Sequence, residues 1–156
     1  MSHESESDGI RHKLKSWLGA HCTDVIRHDY SWDFEFGNAG RLFMVACPWR
    51  IIAEGRIALT DTDHLQKFGL PAPIDGPTKA REILSNKTIV SLWISSVSGD
   101  IQVTFEGAVN LELFSYSSGY ESWQASGDDG DRRSQLIAMG GGEIAVFSEA
   151  LDRSGI

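Results

Sequence analysis

A β-rich α+β fold, with antiparallel sheets arranged as a sandwich or a half-open barrel, is what this chain of 156 residues predicts. One observation behind it is an internal echo: Phe34, Phe36, Gly37, Leu42 and Met44 recur 69 positions later as Val103, Phe105, Leu111 and Leu113, with the glycine displaced by one to Gly107. Each copy is a period-2 run, a glycine-containing turn and a second period-2 run, the pattern of a β-hairpin. A second is punctuation, since 16 glycines against four prolines call for many tight turns between short strands. The third is the last part of the chain, where alternating apolar runs follow one another at the spacing of an antiparallel meander.

Residues 1–9, polar and acidic, are expected to be a disordered lead, and residues 10–156 a single domain. Asp8 can cap a helix whose apolar positions Ile10, Leu14, Trp17 and Leu18 fall on one stripe, ended by Gly19. Arg11, Lys13 and Lys15 take its other face and read as a solvated surface. Strict alternation over 30–36 turns Tyr30, Trp32, Phe34 and Phe36 inward and Ser31, Asp33 and Glu35 outward, a half-buried strand. Residues 37–40 turn the chain and 42–46 return it. Pro48 interrupts pairing before Trp49, Ile51 and Ile52, so an edge strand or bulge is expected there. Glu54, Gly55 and Arg56 then turn the chain into 57–59.

Asp61 is placed to cap a short helix through Leu65 and Phe68, ended by Gly69. The stretch 70–77 holds three of the four prolines and reads as a loop, followed by a second short helix over 78–85 that stops at Asn86. Strands are expected over 88–97, 101–105, 109–114, 120–125, 135–139 and 144–147. Val90, Leu92 and Ile94 share a face, as do Ile101, Val103 and Phe105, and Val109, Leu111 and Leu113. Burying each such side chain contributes roughly 1.5–3 kcal/mol, which makes this layer the expected main source of stability.

Bulk properties narrow the partners. A net charge of -8 and a pI near 5.0 argue against a phosphate-binding surface and hence against a nucleic-acid partner, while leaving a basic protein as a natural one. Cys22 and Cys47 form neither a disulfide framework nor a metal-ligand spacing, so both are expected to be reduced and packed as small apolar residues. No basic segment leads into an apolar run at the start and no run is long enough to span a bilayer, so a cytoplasmic protein without membrane contact is expected.

No segment carries a spacing that demands one chemistry. Tyr120-Glu121-Ser122-Trp123 sets a carboxylate beside an indole, where an apolar neighbour can raise an acid's pKa, but pairing of Glu121 with a cross-strand base and burial of Trp123 explain it as well. Gly140-Gly141-Gly142 precedes a strand-like run rather than a helix N-terminus, so it reads as a tight turn and not a phosphate loop. Asp128, Asp129 and Asp131 around Gly130 lack the distal glutamate of a calcium loop and read as a solvated turn neutralised in part by Arg132 and Arg133. His28-Asp29 and Asp61-Thr62-Asp63-His64 each set an imidazole near a carboxylate, without further ligands at metal spacing; no metal and no cofactor are expected. The expected binding residues are the aromatics left outward by alternation, Trp93, Phe114, Tyr116 and Tyr120, with Glu121 and Trp123 beside them.

Phe105 with Gly107 and Leu111, then Tyr120-Glu121-Ser122-Trp123, then Gly141-Gly142 before the last strand, resembles a group of small bacterial proteins of uncharacterised function. The resemblance covers residues 99–147. Some members of the group lie near polymorphic-toxin systems, which implies an immunity role and carries over no catalytic residue. The expected function is therefore a non-enzymatic protein-binding module, an immunity protein that neutralises a basic toxin. Two alternatives stand beside it: a small-molecule-binding domain with a pocket between the sheets and hydrolytic chemistry through Glu121 or His28, and a structural homodimer, in place of a monomer, through a strand edge near Pro48.

Overall fold

The structure, a computed structural model, describes residues 14–37 and 40–151. In chain order it contains β1 (Cys22–Arg27), β2 (Trp32–Phe36), β3 (Arg41–Val45), β4 (Trp49–Ala53), β5 (Arg56–Thr60), helix α1 (Gly76–Leu84), β6 (Ile89–Ile94), β7 (Ile101–Phe105), β8 (Val109–Leu113), β9 (Trp123–Asp129), β10 (Arg132–Ala138) and β11 (Ile144–Ala150). The strands form two antiparallel sheets, one of six in the order β1-β2-β3-β9-β10-β11 and one of five in the order β5-β4-β8-β7-β6. Both are open, so the β-rich α+β architecture is a pair of facing sheets and not a closed barrel.

Alternation dictates the interior. Trp32, Phe34 and Phe36 of β2 and Phe43 and Val45 of β3 turn inward from the larger sheet, meeting Trp49 and Ile51 of β4 and Val103, Phe105, Leu111 and Leu113 of β7 and β8. Phe36 stacks on Phe105 with centroids 6.1 Å apart, while Trp49 meets Phe34 and Trp32 edge-on at 5.2 and 4.9 Å. Such ring pairs add about 0.5–1.5 kcal/mol each beyond the area they bury. Trp123 of β9 fills the same layer, and its indole N–H donates to the Gly99 carbonyl at 2.8 Å, tying the larger sheet to a loop of the smaller one.

α1 begins at Asp75, whose carboxylate accepts from Thr78 N at 3.0 Å, with Pro77 in its first turn. Ala80 and Leu84 bury the helix against β1, and Arg81 Nη1 donates to Val25 O at 2.8 Å and to Asp24 Oδ1 at 3.2 Å. The helix expected over 78–85 is thus present two residues earlier.

Other expectations need correction. Asp8, Ile10, Arg11, Lys13 and the 1–9 lead lie outside the described residues. Of the N-terminal stripe, Leu14 and Trp17 are buried, but Leu18 is 48% exposed because the chain leaves the helical path for a turn after Lys15. No helix forms over 61–68. Leu65 and Phe68 both have positive φ and stand exposed, and Asp61 accepts from Trp49 N at 3.4 Å instead of capping. Tyr30 precedes its strand and is exposed. In β3 the inward residues are Phe43 and Val45, so Leu42 and Met44 face the other way. Val90 sits in a β-bulge and is exposed, which hands its inward place to Ile89. The expected 120–125 strand starts only at Trp123. β4, after Pro48, is flanked on both sides by β5 and β8, so no sheet edge exists there.

Candidate functional site

The six expected binding residues divide among three places. Trp93 is exposed on the outer face of the five-stranded sheet, where cross-strand partners run Trp93, Gln102, Glu112, Arg50. Phe114 lies beside that row, just past the end of β8, with the Arg50 guanidinium carbon 5.0 Å from its ring centroid and Arg50 Nη2 paired to Glu112 at 3.0 Å. Tyr116 is exposed in the segment that leads from one sheet to the other. Tyr120 and Glu121 belong to the outer face of the six-stranded sheet. Trp123 is buried, its indole in the interior, and the residue also lines the groove described below.

The outer face around Tyr120 and Glu121 is built by register. Asp33 pairs with Met44, Met44 with Gln124, and Gln124 with Ile137, giving one row across four strands; Asp24, Glu35, Leu42, Ser126, Gln135 and Phe147 form the adjacent row. The side near β1 and β2 is therefore acidic, and the side toward β11 is apolar with a glutamine seam. Gln135 Nε2 donates to Gln124 Oε1 at 2.9 Å, and Gln124 Nε2 donates to Glu121 Oε2 at 3.0 Å, so the seam fixes the Glu121 carboxylate. An open groove of about 460 Å³ sits there, lined among others by Met44, Ala46, Tyr120, Glu121, Ser122 and Gln124. Ser122 Oγ is buried and has no hydrogen-bond partner among the described residues.

His28 Nε2 lies 2.8 Å from Asp33 Oδ2. Since Asp33 and Gln124 are both partners of Met44, the His28–Asp33 and Glu121–Gln124 pairs stand on either side of Met44 on one face. His64 is elsewhere: its Nδ1 accepts from Gly76 N at 2.9 Å and its ring meets Trp32 edge-on. The two histidines therefore share no site, and no group of three or more metal-ligating side chains occurs among the described residues. Burial pushes the thiols of Cys22 and Cys47 up to about 12, leaving them protonated and poor nucleophiles. The groove opens on the outer face of the six-stranded sheet, on the side of Met44 and Gln124. In the Asp128 turn, Arg133 Nη1 lies 3.3 Å from Asp128 Oδ1.

Sequence reasoning missed Met44, Gln124 and Gln135. Residues 42–45 are all apolar, so alternation cannot say which pair faces out. The glutamines gain meaning only once β9 is known to lie between β3 and β10. Compared with family models, curated proteins and solved structures, the chain matches none.

Proposed function

We propose that this protein is a non-enzymatic protein-binding module, and that it acts as an immunity protein neutralising a basic toxin through the outer face of the six-stranded sheet. The observation that carries this reading is the make-up of that face. Carboxylates of Asp24, Asp33, Glu35 and Glu121 border an apolar centre of Leu42, Met44 and Ile137. Carboxylates on a chain of net charge -8 speed encounter with a cationic partner, and a desolvated centre with Tyr120 at its rim holds it. Toxin neutralisation draws its support from the resemblance over residues 99–147.

The test is direct binding of the purified protein to the product of the gene beside its own, with co-expression as the biological readout. Binding that weakens with added salt, is lost in Met44→Arg and is accompanied by protection of the host is the expected result. A neighbouring product that neither binds nor loses toxicity overturns the immunity reading.

A second reading, small-molecule binding with hydrolytic chemistry, is favoured by the placing of His28–Asp33 and Glu121 across Met44 at an open groove. A thermal-shift screen with no stabilising ligand counts against it.

A further inference from the structure

Among the described residues, the four sheet edges are not equivalent. β1, β5 and β6 each take part in a pairing with a register shift, at Cys22/Asp24, Ile51/Ile52 and Ile89/Ser91, and such bulges turn an edge away from an incoming strand. α1 and Arg81 shield β1 further. β11 carries none of these devices: its seven residues pair one for one with β10, it ends the six-stranded sheet, and it holds neither proline nor lysine. We propose that β11 pairs antiparallel with β11 of a second copy of this chain, about a two-fold axis at Phe147.

The register follows from the backbone. Leu151 N donates to Asp131 O, and Glu143 O accepts from Met139 N. Directions alternate along an antiparallel strand, so the odd-numbered residues of β11 bond to β10, and Ile144, Val146, Ser148 and Ala150 aim their N–H and C=O groups at the open edge. A two-fold at Phe147 sets Val146 opposite Ser148 of the other copy and Ile144 opposite Ala150. Every outward N–H and C=O of both strands then gains a partner. Ser148 O also accepts from Arg132 Nη2 at 3.0 Å and keeps its second lone pair for the pairing.

Charge and side chains fit the same register, which is why the occupant is a second copy and not a foreign strand. Glu149, the one charged residue of β11, falls opposite Ala145 and has Arg133 as its neighbour on β10, so no like charges oppose. Phe147, 54% exposed, meets Phe147 of the other copy in a non-hydrogen-bonded pair, where side chains approach most closely. The edge differs from the one expected near Pro48, which the fold does not contain.

Sedimentation of the full chain over a concentration series is expected to show a monomer–dimer equilibrium. Val146→Pro removes an outward N–H and leaves the β10 ladder whole, so it is expected to sediment as a monomer with unchanged circular dichroism. Phe147→Cys places two thiols at the Cα spacing of a non-hydrogen-bonded pair, about 4.5 Å, within disulfide reach, and is expected to cross-link under mild oxidation. Ser148→Cys, facing Val146, is expected not to cross-link. A monomer at every concentration, a dimer that persists in Val146→Pro, or equal cross-linking of the two cysteine variants overturns the proposal.

Discussion

A Cβ on Gly140 would lie 2.4 Å from the Gly119 carbonyl carbon, and one on Gly142 would lie 2.1 Å from Val97 O. Both obstacles are backbone and cannot swing aside. Gly140→Ala and Gly142→Ala are each expected to lower stability by about 1–3 kcal/mol, whereas Gly119→Ala, pointing into open space, should stay within about 0.5 kcal/mol of the parent in urea denaturation. The glycine run is thus where three loops meet, a role that adds close packing to the turn read from sequence. Two carboxylates give opposite pH signatures. The backbone hydrogen bond from Thr78 holds Asp75 below its usual range, so its contribution is present above the ordinary carboxylate pKa and lost as pH falls through the folded value. Burial raises Asp61, so its ionised form costs stability above the folded value, and the cost is relieved as pH falls through it. Asp75→Ala is expected to destabilise by about 1 kcal/mol at neutral pH. Asp61→Asn, which keeps an oxygen for Trp49 N, is expected to stabilise there. Thermal melts at neutral and acidic pH check both signs, since each difference should shrink in acid.

β6 shows how a single inserted residue rewrites a strand. Val90 and Leu92 share a face in strict alternation, yet the shift between Ile89 and Ser91 sends Val90 to solvent and leaves Ile89 1% exposed. Ile89→Ala is expected to cost about 2–5 kcal/mol, and Val90→Lys to change stability by no more than about 0.5 kcal/mol, as read from denaturant midpoints. Hairpin strands such as β7 and β8 were legible because one apolar and one polar face alternate without interruption. β1 was not, since Val25 is its one fully buried residue and Thr23, Asp24 and Arg27 dilute the pattern. The 61–68 helix failed for a related reason: Leu65 and Phe68 have helical spacing but no surface of the fold to bury against. Tyr120 and Glu121 could be singled out locally, but their grouping with Met44 and Gln124 depends on strand order. The same dependence separates Trp93 and Phe114 from them and puts them on the opposite sheet.

Across the molecule, Trp17, Trp32, Trp49 and Trp123 are buried and Trp93 is 60% exposed. Acrylamide is therefore expected to quench one minor component of the native fluorescence, and Trp93→Phe to abolish that component. Equal quenching of parent and variant would contradict the burial pattern. The strand order has a consequence for synthesis. β3 and β9 are neighbours in the larger sheet, yet all five strands of the smaller sheet lie between them in sequence. A nascent chain makes β1 to β3 first, with Trp32, Phe34 and Phe43 still uncovered. It next releases the whole five-stranded sheet as one contiguous stretch, and completes the larger sheet only when β9 to β11 have left the ribosome. The larger sheet thus stays half-built until β9 to β11 emerge, and a chain interrupted after β8 carries one finished layer and one half-built layer, the kind of species that chaperones bind.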